Sequence, residues 1–113
     1  MNKVEAIIRP ERVGLVTEAL AQAGFIGLNV VEVRGRGVQK GLQHVGRGGI
    51  NITIDMLPKS KLEIVVKDGD TQKVIELINE NASTGEVGDG KIFVTAVTAA
   101  VRVRTGEKDE AAL

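Results

Sequence analysis

The feature that most constrains this chain is a repeated succession of hydrophobic periods: a strand-like segment, a helical segment and a second strand-like segment, and then the same three again. Residues 3–9, KVEAIIR, place Val4, Ala6 and Ile8 on one face and Glu5, Ile7 and Arg9 on the other, as a strand does. Pro10 then opens a helix of about four turns, because a proline at the first helical position forfeits no hydrogen bond. Val13, Val16, Leu20 and Ala23 supply its apolar stripe, and Gly24 stops it. Residues 28–34, LNVVEVR, read as a second strand and 61–67, KLEIVVK, as a third. Asp70 or Thr71 can cap a second helix whose buried stripe is Val74, Ile75, Leu77, Ile78 and Ala82; residues 91–97, KIFVTAV, make a fourth strand.

That order predicts one α+β domain over residues 1–113, a ferredoxin-like βαββαβ sandwich with both helices on one face of the sheet. Alternation puts Ile7, Val31, Val33, Val65, Phe93 and Val97 on the other face. An apolar open face predicts a subunit interface. The second and third strands are joined by residues 35–60, far longer than a hairpin needs, so a functional loop is expected there. Within it, residues 50–56 alternate strictly, which predicts pairing with the hairpin or with a partner. The tail from Glu107 is expected to be mobile.

Several function classes are excluded by what is missing. The chain has no Cys, one His (His44) and no Tyr or Trp, which removes disulfides, thiolate chemistry, zinc fingers and any nucleophile–base pair built on Cys and His. Fifteen Lys and Arg balance fifteen Asp and Glu, and aromatics are 2% of residues, so neither a basic tract nor a base-stacking platform for nucleic acid exists. An RNA-recognition module shares the element order, but KLEIVVK lacks the aromatics it needs. No apolar run of about 18 residues occurs and the start is polar, so a cytoplasmic protein is expected.

Glycine is the informative excess, 14 of 113 residues against an average of about 7%. Six lie between Gly35 and Gly49 and three between Gly85 and Gly90. The first segment, GRGVQKG, leaves a strand without entering a helix, so a dinucleotide fingerprint fails. It reads either as a soluble loop tip or as an anion nest, with Arg36 and Lys40 adding charge and Gln39 an amide oxygen for a hard cation. The second, TGEVGDGKIFV, imitates a phosphate loop from Gly85 to Lys91, but Ile92 stands where Ser or Thr belongs and a strand follows instead of a helix. A structural turn and a phosphate cradle both remain open. In the third, RVRTG, Arg102 and Arg104 point the same way in extended chain, as a solvated edge or a paired guanidinium surface.

In this order GRGVQKG, LPK at 57–59, TGEVGDGKIFV and VRVRTGE, with the opening EAIIRPE, resemble the PII nitrogen-signalling family over nearly the whole length. The resemblance implies a homotrimer with ATP or ADP in each cleft between subunits and 2-oxoglutarate bound beside ATP through Mg2+. It makes residues of about 36–58 a T-loop, 84–90 a B-loop and 99–113 a C-loop and tail. Gly88, Asp89, Gly90 and Lys91 would hold the triphosphate from one subunit and Arg102 and Arg104 from the next, with Gly37 nearby. Ile7, Asn29, Glu63 and Val65 would complete the nucleotide site. Gln39 would ligate Mg2+, Lys59 would pair with a 2-oxoglutarate carboxylate, and Lys40 and Gly41 would line that pocket.

His44, Arg47 and Asn51 fall on the implied partner-binding loop. An ammonium transporter is the expected partner and the only route to a membrane; nitrogenase or glutamine synthetase is the alternative. Three departures from the family pattern bear on this. Val38 replaces an arginine that touches the γ-phosphate, Asn29 replaces a threonine, and the absence of Tyr excludes tyrosine uridylylation. The loop from Gly48 to Asp55 is also one residue longer than in those relatives. A small phosphatase or slow ATPase on this fold is the competing reading, and the chain offers it no evident nucleophile or base.

Overall fold

A computed structural model describes residues 1–37, 43–45, 51–53 and 56–113 of the chain, the pieces at 43–45 and 51–53 as backbone. Its main sheet contains β1 (Asn2–Ile8), β2 (Asn29–Gly35), β5 (Leu57–Val66) and β6 (Gly90–Ala96) in the order β2-β5-β1-β6. All its pairings are antiparallel, with Val4 opposite both Ile64 and Val94, and Leu62 opposite both Ala6 and Val30. Direct partners share a face, so these rows define the side that the helices cover. The helices are α1 (Val13–Gln22) and α2 (Thr71–Ala82). Val4, Ala6, Ile8, Leu62, Ile64 and Val66 pack there with Val16, Leu20, Val74, Ile78 and Ala82, all buried. Each large aliphatic side chain in that layer contributes about 1.5–3 kcal/mol through burial. The ferredoxin-like α+β reading is correct.

The element boundaries moved for local reasons. Pro10–Arg12 form a 3-10 turn, so the α-helix is ten residues long and Ala23 is its exposed C-cap rather than part of the stripe. Gly24 follows at φ +93°, with its N–H on the Ala21 carbonyl and the Phe25 N–H on Leu20, the Schellman closure that only a left-handed residue permits. Asp70 sits at the N-cap of α2 without a capping side-chain bond, because its backbone is already helical at the end of the turn Asp68–Asp70. Thr71 instead donates to the Lys67 carbonyl. β5 begins four residues before the expected strand, at Leu57. From Leu57 to Lys59 its only partner is β2, since β1 reaches no further than Ser60, and an edge stretch tolerates Pro58.

Within the long connection, β3 (Gln43–Val45) and β4 (Asn51–Thr53) form a separate antiparallel pair, so the alternating stretch pairs with its own loop there. The tail expected to be mobile is instead folded back. Val101 bridges Lys108, the Asp109 N–H donates to the Ala100 carbonyl at 2.7 Å, and the Asp109 carboxylate accepts from the Ala100 N–H. The open face of the sheet carries Ile7, Val31, Val33, Val65 and Phe93 as expected, but they alternate with Lys3, Glu5, Lys61, Glu63 and Lys91. Lys61 Nζ lies 3.6 Å from Glu5 and 3.5 Å from Glu63, and the direct strand partners of Ile7, Val31, Val33, Val65 and Phe93 are all charged, so no continuous apolar row crosses this face. Val97 follows the last strand, its N–H donating to the Met1 carbonyl.

Candidate functional site

The turn that carries the chain from α2 into β6 is built around one carboxylate. Asp89 accepts from the Thr84 hydroxyl, from the N–H groups of Thr84 at 2.8 Å and Gly85 at 2.9 Å, and from Arg9 Nε at 3.1 Å. The Thr84 hydroxyl, then the Thr84 N–H, and further the Arg9 and Gly85 bonds hold its carboxyl well below the usual carboxylate range, opposed by desolvation. Gly85, Gly88 and Gly90 all have positive φ, which gives the glycine spacing a backbone cause. At Gly90 the constraint is absolute: a Cβ would stand 1.7 Å from the Ile7 carbonyl oxygen, in the strand alongside.

Two cations converge on the same turn. Arg9 Nη2 donates to the Val87 carbonyl at 2.9 Å, and Lys59 Nζ donates to the Gly88 carbonyl at 2.5 Å. Lys59 is almost fully buried, at 9% exposure. Burial, then the neighbouring Arg9, push its ammonium pKa down, with Glu11 and Asp89 acting in the opposite sense. Pairing explains why these groups meet. Val33 lies opposite Lys59, and the row Glu32, Ser60, Ile8, Gly90 runs across the whole sheet at this end. The long loop leaves β2 here through Gly35, whose Cβ position would be 3.6 Å from Lys59 Cγ, and then Gly37.

The expected nucleotide residues therefore separate into three groups within one chain. Ile7, Gly88, Asp89, Gly90 and Lys91 share this end of the sheet with Lys59 and Gly37. Asn29, Glu63 and Val65 line a different feature, a groove of about 640 Å³ bounded by Phe25, Leu28 and the terminal Leu113. Asn29 is opposite Glu63, and Glu63 opposite Glu5. Arg102 and Arg104 lie on the C-terminal segment, and among the described residues neither bonds to the turn at 84–90. Arg102 is held by Glu107, Nη1 to Oε1 at 2.6 Å, and Arg104 is exposed. Gln39, Lys40, Gly41 and Arg47 lie outside the described residues, as does Val38. His44 and Asn51 are placed as strand backbone, opposite Ile52 and Val45.

Arg9 is the residue that sequence reading missed. Its partner Asp89 is 80 positions away, and only the β1–β6 pairing unites them. The one local signal was an arginine closing a strand immediately before a helix-opening proline. The Asp89 carboxylate has both its oxygens engaged within the protein, so this side chain shapes the turn. A buried ammonium, a guanidinium and a glycine turn suit the site to holding an anionic ligand.

The family model for nitrogen regulatory protein P-II matches residues 1–107. Over 113 residues the chain is 50% identical to nitrogen regulatory protein P-II 2 of Methanothermobacter thermautotrophicus, covering all of this chain and 97% of that protein. It is 50% identical to nitrogen regulatory protein P-II of Synechocystis sp. and 49% identical to that of Pasteurella multocida, with complete coverage of both chains in each case.

Proposed function

Since this chain belongs to the P-II family of nitrogen regulatory proteins, regulators rather than enzymes, we propose that it is a homotrimeric sensor of adenine nucleotide and 2-oxoglutarate. The observation that carries this reading is the convergence of Lys59 on the Gly88 carbonyl, at the sheet end from which the long loop departs. A buried ammonium whose hydrogen-bond partner among the described residues is one neutral carbonyl is a waiting partner for a carboxylate, which would replace that bond with a charge-assisted one. Gly88, Gly90 and Lys91 would hold ATP or ADP phosphates against Arg102 and Arg104 of a neighbouring subunit. Asn29, Glu63 and Val65 would receive the adenosine end. The division of these residues into separate groups supports a site completed across a subunit boundary.

Among the described residues no three His, Cys, Asp or Glu side chains are gathered as metal ligands. Mg2+ would be held by Gln39 together with oxygens of the triphosphate and 2-oxoglutarate. When bound, the ion would supply positive charge beside both anions, so that binding of the second depends on the first. Ordering even five loop residues costs roughly 5–10 kcal/mol. Charge-assisted bonds at about 1.5–3 kcal/mol apiece can select one loop shape for ATP with 2-oxoglutarate and another for ADP. That loop would then govern a nitrogen-metabolism partner, an ammonium transporter in the first instance. Nitrogenase or glutamine synthetase is the second reading; the tyrosine-free loop is compatible with both the transporter and nitrogenase. Among the described residues no helix is long and apolar enough to cross a membrane.

Titration calorimetry on the full chain tests the ligand reading. Heat from 2-oxoglutarate is expected only when ATP and Mg2+ are both present, and Lys59→Met is expected to weaken it roughly ten- to hundredfold while ATP still binds. Equal 2-oxoglutarate binding without ATP and Mg2+ would overturn it.

A further inference from the structure

The guanidinium of Arg102 is already occupied by its own chain. Its Nη1 donates to Glu107 Oε1 at 2.6 Å, and its Nη2 reaches the Leu113 carbonyl at 3.4 Å. Its backbone is tied to the same segment: the Arg102 N–H donates to the Glu107 carbonyl and the Gly106 N–H to the Arg102 carbonyl, both at 2.8 Å. The Glu107 carboxylate is in turn positioned by the Thr105 hydroxyl, which donates to the same Oε1 at 2.8 Å. Gly106, at φ +74°, makes the tight reversal that brings Glu107 back over Arg102. The result is a closed loop of about six residues whose centre is a paired charge.

We infer that Glu107 is an internal competitor for Arg102 and sets the anionic strength a ligand must have to bind there. The inference rests on the reading of Arg102 as a phosphate ligand. An incoming phosphate has to displace the carboxylate, so a ligand presenting one weakly charged oxygen gains little, whereas a polyphosphate gains more contacts than it breaks. The Arg102 and Glu107 side chains are 37% and 44% exposed, so the pair is a solvated one and the threshold it sets is small. Arg104, two residues on and exposed, carries no such partner among the described bonds and is open to a ligand from the outset. The segment thus offers one free guanidinium and one that must be released.

The test is ATP binding by calorimetry to the full wild-type chain, Glu107→Gln, Arg102→Gln and the double variant. Glu107→Gln keeps a hydrogen-bonding side chain of the same shape and removes its charge. It is expected to tighten ATP binding about three- to fivefold, the scale of an exposed ion pair, and the gain is expected to vanish on the Arg102→Gln background. Thr105→Val, which frees the carboxylate by another route, should move affinity in the same direction. If the wild type binds ATP and Glu107→Gln binds it equally or more weakly, the competition is overturned and the nucleotide reading stands. If neither chain binds ATP, both fall together.

Discussion

Both oxygens of Asp89 are engaged, by Thr84, Gly85 and Arg9, so the folded chain holds this carboxyl ionised at acidities where a free aspartate takes up a proton. The sign of the consequence is fixed. A depressed folded-state pKa contributes stability that is complete above the unfolded value near pH 4 and is lost as pH falls below it. Asp89→Asn removes that contribution at every pH. The difference in melting temperature between wild type and Asp89→Asn should be constant from neutral pH to about 5 and shrink toward pH 3. A difference that holds its size at pH 3 would show that the carboxylate's charge is not what shapes the turn. The same residue marks a limit of sequence reading. Its membership of the site could be read from the glycine turn, but its role could not, because Arg9 approaches from a strand far away in sequence.

At the scale of elements, most of the fold was legible because burial imposes period two on strands and near four on helices. Val4, Ala6 and Ile8 beside Val16 and Leu20 leave little freedom in how β1 and α1 stack. Boundaries were less legible where geometry, and not burial, decides them. β5 starts ahead of the expected strand because Pro58 has only β2 beside it in the sheet and is tolerated there; Ala23 looked like a core residue and is a cap. The charged tail looked mobile because its order comes from Asp109 and Glu107 reaching back, which no periodicity records. Gly24 gives a direct test of cap against core. A Cβ there meets nothing within 4 Å, so Gly24→Ala introduces no clash and only the strain of φ +93°. It should cost about 1–2 kcal/mol in denaturant unfolding with an unchanged slope. A neutral result would mean that the turn is free to relax and that the Schellman closure does not hold α1 to Phe25.

At the scale of the molecule, nothing among the described residues covers the side of the sheet opposite the helices. β2 and β6 are both edges, and the open face pairs each of its apolar side chains with a charged one on the neighbouring strand instead of presenting the continuous apolar surface that alternation alone suggested. A chain of 113 residues with Phe93 47% exposed and Val31 50% exposed on that face has core to gain from association. Charged side chains with their own partners, as Lys61 has in Glu5 and Glu63, can enter an interface without leaving an ion unpaired. Phe93 is the residue through which to test this, because its direct strand partner is Glu5. Phe93→Lys places a cation opposite that carboxylate, which suits the isolated subunit, and places an extra charge in any interface, which opposes association. For the trimer proposed above, light scattering should give the mass of three chains for the wild type and of one chain for Phe93→Lys at the same micromolar concentration, with both equally helical by circular dichroism. A trimer that survives the lysine would place the subunit contact elsewhere than this face, and a wild-type monomer would overturn the proposal that Gly88 and Arg102 of neighbouring subunits share a ligand.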